Sequence, residues 1–171
     1  MNLVNNKIRN IFLYSMQMEK MGQRFYGYYA DLFEGEVHDF LAEMSVLEEG
    51  HFKLLDEKYE TFMGEKLLKD SSWVMDDTSK VNHTDIFENA DKILEMNENV
   101  DAEEVLKMAY LFESDFAGFY TRASELADDE EVKNFLKELA EWEIEHAHEV
   151  MKRYVKLKQK DWDNIINKII D

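Results

Sequence analysis

Residues 36–62, EVHDFLAEMSVLEEGHFKLLDEKYETF, decide the reading of the chain. Val37, Leu41, Met44, Phe52, Leu55, Tyr59 and Phe62 recur at the spacings of a helix that buries one face. Wound at about 100° per residue, that apolar stripe has Glu48 at its middle and His51 one turn further on its inner flank. A carboxylate belongs on the solvated side of such a helix, so its place inside the stripe needs a chemical reason.

The same arrangement recurs outward from this stretch. A first helix over 6–33 carries Ile8, Phe12, Met16, Tyr26, Ala30 and Phe33 around Glu19. A third, over 101–127, carries Leu106, Ala109, Tyr110, Phe116, Ala117 and Tyr120 around Glu113. A fourth, over 129–157, carries Val132, Leu136, Leu139, Ala147 and Val150 around Glu143, with His146 one turn on. Asp101 followed by Glu104 has the spacing of a capping box, and the acidic turn Asp128-Asp129 leads into the fourth helix. Between the pairs, 64–100 reads as a long crossover with a short helix opened by Thr84 as N-cap. A short amphipathic C-terminal helix is expected over 162–170.

The chain has no proline and six glycines, and shows no segment of strand periodicity. The predicted class is all-α, a single domain over 1–171. Two helix pairs with tight turns, joined by one long crossover, predict a ferritin-like four-helix bundle. The halves repeat: Glu19 precedes Phe25-Tyr26 as Glu113 precedes Phe119-Tyr120, and Glu48 with His51 matches Glu143 with His146. Glu113 lies 94 residues after Glu19, and Glu143 lies 95 after Glu48. Whatever the first half contributes, the second contributes again.

Four carboxylates aimed at one core each cost several kcal/mol to strip of water. No Lys or Arg stands at the centre of any of the four stripes to neutralise them. Protonating all four would leave a polar, poorly packed core. Two divalent cations resolve the conflict, with Glu19, Glu48, His51, Glu113, Glu143 and His146 as the predicted metal-binding residues. Glu145 and His148 share the Glu-x-x-His spacing, but the helix turns both to its outer face, so they are read as surface residues. Carboxylate and imidazole donors suit iron or manganese.

The formal charge of −18 speaks against nucleic acid and against an anionic membrane surface as partners. With no cysteine, disulfides, thiolate metal sites and cysteine nucleophiles are excluded. The N-terminal stretch lacks a signal-peptide core, and a cytoplasmic address is expected.

This pattern resembles the di-iron carboxylate proteins of the ferritin-like superfamily, and among them the rubrerythrins and their shorter relatives, over about residues 6–157. The resemblance implies two iron ions, with manganese as the other choice, bridged by Glu48 and Glu143. Glu19 and Glu113 would then be terminal ligands, and His51 and His146 would complete one site each. It also implies that Tyr26 and Tyr120 hydrogen-bond the ligand carboxylates. Rubrerythrins carry a further glutamate three residues after the third-helix ligand, where this chain has Phe116, and a cysteine-ligated rubredoxin domain, which this chain cannot build. The haem-ligating methionine of bacterioferritins would fall at Glu49, so haem is not implied.

The implied activity is an oxidoreductase in which hydrogen peroxide or dioxygen oxidises the metal pair and an external donor, such as a rubredoxin-like protein, re-reduces it. Three alternatives stay open: a ferroxidase or iron-handling protein, a dimanganese catalase, and a non-catalytic, metal-stapled interaction module that uses residues 162–170. A homodimer is expected from the amphipathic tail and from related proteins.

Overall fold

The structure is a computed structural model that describes residues 3–64 and 99–170, with side chains over 6–64 and 99–168. Four helices follow in order: α1 (Leu3–Ala30), α2 (Gly35–Met63), α3 (Ala102–Leu126) and α4 (Glu130–Ile170). Among the described residues every regular element is a helix. The expected crossover over 64–100, with Thr84 as N-cap, lies almost wholly outside the described residues.

The helix ends follow local chemistry. The last turn after α1 tightens through bonds from Leu32 N to Tyr29 O and Phe33 N to Ala30 O, which stops the helix at Ala30 short of the expected Phe33. His38 then covers the open end, its Nδ1 donating to the Ala30 carbonyl at 2.9 Å. α2 stops at Gly64, which takes φ +66° and donates its N–H to Glu60 O at 3.0 Å. α3 opens with the expected reciprocal cap: Glu104 N donates to Asp101 Oδ1 at 2.8 Å, and Asp101 N to Glu104 Oε2 at 3.4 Å. Asp129 caps α4, its Oδ1 accepting from Glu131 N at 2.9 Å and Val132 N at 3.1 Å.

One boundary differs from expectation. Residues 162–170 are helical, but they do not form a separate short helix: α4 runs without a break for 41 residues. The expected break between 157 and 162 falls in the polar stretch Lys-Leu-Lys-Gln-Lys-Asp (156–161), yet lysine, leucine and glutamine all favour helix and neither glycine nor proline interrupts 151–170.

The chain divides into two compact units, one of 1–98 with 126–133 and the other of 99–125 with 134–171. In the first, α1 packs on α2. Phe12 meets Tyr59 edge-on at 6.1 Å and Phe62 at 5.7 Å, Lys20 Nζ sits 4.5 Å over the Phe52 ring, and Ser45 Oγ donates to Gln23 O at 3.0 Å. The two helices are therefore antiparallel, and Lys7 Nζ donates to the Leu126 carbonyl of the same unit. The buried face of α1 is wider than its stripe, since Leu13, Tyr14, Met18, Phe25 and Tyr29 are also buried. Burying a large apolar side chain contributes about 1.5–3 kcal/mol, so several such residues offset one costly acid among them.

In the second unit, Glu103 near the start of α3 meets Lys158 of α4 at 2.6 Å, and Tyr154 Oη donates to it at 3.4 Å. The Phe112 and Phe116 rings meet tilted, with centroids 4.5 Å apart. α3 begins at Ala102, so beyond Lys158 the end of α4 runs past its hairpin partner. There Trp162, Ile165 and Ile166 are exposed.

Candidate metal centre

In the first unit, α1 presents Glu19 and α2 presents Glu48 and His51. Both carboxylates are fully buried (0% exposed) and His51 is buried at 8%. His51 Nδ1 lies 3.3 Å from Glu19 Oε2. Glu48 reaches across to α1 at Gly22, one turn after Glu19. A Cβ placed on Gly22 would stand 2.6 Å from Glu48 Oε2 and 2.9 Å from its Cδ.

The second unit repeats this with α3 and α4. Glu113 and Glu143 are again 0% exposed, and His146 is half-buried. His146 Nδ1 lies 3.2 Å from Glu143 Oε2 and 3.6 Å from Glu113 Oε2. Burial alone would draw the imidazole pKa down, but the Glu113 and Glu143 carboxylates outweigh it and raise the pKa to about 9. Without metal the ring therefore carries a proton at neutral pH, and a metal taking its nitrogen would displace that proton.

These donors fit a metal ion. Nitrogen and oxygen ligands bind transition metals such as zinc at about 2.0–2.2 Å, which sets neighbouring donors roughly 3 Å apart. The imidazole–carboxylate separations within each unit, 3.2–3.6 Å, are close to that spacing. Glu48, His51, Glu143 and His146 each offer an atom suited to ligation. Among the described residues no lysine or arginine is buried.

All four stripe glutamates are buried, whereas Glu145 and His148 are exposed as expected. Tyr26 and Tyr120, the tyrosines of the repeat, are both 0% exposed. Phe116 is buried against Phe112. The helix wheel did not single out Gly22. The available signal was a glycine in a helix interior, on the ligand side of its stripe, where alanine would make a better helix. Among the described residues no helix is long and apolar enough to cross a membrane.

No curated protein and no solved structure shows a significant match to the chain. The rubrerythrin family model does, over residues 10–154, a span that includes all six candidate donors and parts of all four helices. The helices are those of a ferritin-like four-helix bundle. By that match, and by its buried glutamates with a histidine beside them in each half, the chain belongs to the rubrerythrin family.

Proposed function

We propose that the chain is a di-iron oxidoreductase acting on hydrogen peroxide or dioxygen, with electrons from an external, rubredoxin-like donor. In this reading Glu19, Glu48, His51, Glu113, Glu143 and His146 are the ligands of two iron ions. The observation that carries it is the burial of four glutamates with an imidazole beside them in each half, His51 Nδ1 3.3 Å from Glu19 Oε2 and His146 Nδ1 3.2 Å from Glu143 Oε2.

The iron pair, when bound, supplies redox equivalents and open positions for the oxidant. The protein residues supply the rest. The four carboxylates set a negative environment that favours the higher-charged metal state. His51 and His146 offer imidazole nitrogens, and the buried phenols of Tyr26 and Tyr120 hold the carboxylates in orientation.

Phe116 favours a cycle that differs from that of rubrerythrins with a glutamate at this place, because a phenyl ring cannot ligate or carry a proton. Iron(II) titration of the whole chain under dioxygen tests the reading. An oxidase without reductant stops after two irons per chain and resumes only when a donor is added. Continued turnover of many irons per chain would make it a ferroxidase, and peroxide disproportionation by the manganese-loaded chain without any donor would make it a catalase.

A further inference from the structure

Gly22 sits in the interior of α1, where glycine is a poor choice for a helix. Its backbone is not in the left-handed region, so conformation gives no reason for it. The repeat gives none either: three residues after Glu113, the equivalent position is Phe116, a large residue in an equally regular helix. The reason lies in space. Among the described glycines, only at Gly22 would an added Cβ meet a carboxylate, with Glu48 Oε2 at 2.6 Å, Cδ at 2.9 Å and Cγ at 3.1 Å. At Gly27 the nearest atom would be Ser45 Oγ at 3.4 Å, and at Gly50 there is open space.

We propose that Gly22 is a positioning residue of the metal centre, its missing side chain leaving the space in which the Glu48 carboxylate lies. This inference rests on the reading of Glu48 as a metal ligand. The obstructed atoms are the far end of a flexible side chain rather than backbone. A methyl group at this position therefore leaves the helices packed and displaces the carboxylate. The fold and the metal site respond differently, which makes the role separable.

The test compares wild type, Gly22→Ala and Gly50→Ala as whole chains. Two readouts are used: the melting temperature of the metal-free protein, and anaerobic iron(II) titration by calorimetry with metal per chain counted after desalting. Gly22→Ala is expected to melt at or above the wild-type temperature. It should bind at least one of the two irons about tenfold or more weakly, as when a ligand's supporting partner is changed. Gly50→Ala should bind both irons as wild type does. Unchanged affinity in Gly22→Ala, beside a wild type that binds two irons, would overturn the role of Gly22 alone. So would loss of the fold in that variant, because the obstruction would then not be confined to Glu48. A wild-type chain that binds fewer than two irons would overturn the metal reading and this role with it.

Discussion

Lys158 Nζ on α4 donates to Glu103 Oε2 on α3 at 2.6 Å, between residues 55 apart in sequence. Lys107 Nζ meets the other oxygen, Oε1, at 2.5 Å. The bonds from Lys107 and Lys158 hold the Glu103 carboxyl down at about 2. Its folded pKa is thus depressed, so its stabilisation is fully present above the unfolded value near 4.5 and disappears as pH falls through about 2. Glu103→Gln should lower the melting temperature slightly at pH 7, where exposed pairs contribute little. The gap between the variant and wild type should close on acidification to pH 2, and thermal melts across that range check it.

Metal should stabilise the wild-type chain and not the Glu48→Ala variant. A ligand at a hundred times its dissociation constant adds about 2.7 kcal/mol to a protein that binds it only when folded. Removing the Glu48 carboxylate relieves a buried charge, so the metal-free variant should be no less stable than metal-free wild type. Melts with and without iron(II) under anaerobic conditions give both numbers. Full retention of two metals by Glu48→Ala would sink the site assignment.

Tyr26→Phe and Tyr120→Phe should leave the fold intact and weaken metal binding by roughly 10–100-fold, the usual effect of removing a partner that orients a ligand. Rings of the same shape keep the packing, so melting of the metal-free protein is the control. Wild-type affinity in both variants would mean that the phenols act only as core side chains.

Two glycines, Gly50 inside α2 and Gly64 at its C-cap, should respond to alanine in opposite directions. At Gly50 an added Cβ meets nothing within 4 Å, so alanine should stabilise by about 0.5–1 kcal/mol through helix propensity. Gly64 has φ +66°, where a Cβ costs about 1–2 kcal/mol, so Gly64→Ala should destabilise. Urea denaturation resolves differences of this size.

Asp129→Ala should cost about 0.5–2 kcal/mol, because one Asp129 oxygen accepts from both Glu131 N and Val132 N at the start of α4. Asparagine at the same position should recover most of the loss, and the same urea titration checks both variants.

The sequence made the helix starts and the buried acids legible because both have local signatures. Asp101 with Glu104, Asp129 and Gly64 mark helix ends by their chemistry. The stripes place Glu19, Glu48, Glu113 and Glu143 inside by period alone. The unbroken run of α4 was hidden because a stretch such as Lys-Leu-Lys-Gln-Lys-Asp lacks an apolar face without being a helix breaker. Gly22 was hidden for another reason. Its significance is the distance between its Cα and a side chain on a different helix, and that depends on how α1 and α2 slide along each other, which no local pattern encodes.

The two halves differ by one residue in register, and the place where that residue is stored has a consequence. Glu48 is the thirteenth residue after Gly35, the start of α2, and Glu143 is the thirteenth after Glu130, the start of α4. The second helix of each pair thus keeps the same phase from its first residue to its glutamate, and the mismatch falls upstream, in the end of the preceding helix and the turn. One residue inserted between the start of α2 or α4 and its glutamate would turn that glutamate and its histidine together by about 100° relative to the start of the helix. Length can therefore change at the corners of this chain, while the count between a helix start and its carboxylate works as an angular clock that both halves keep.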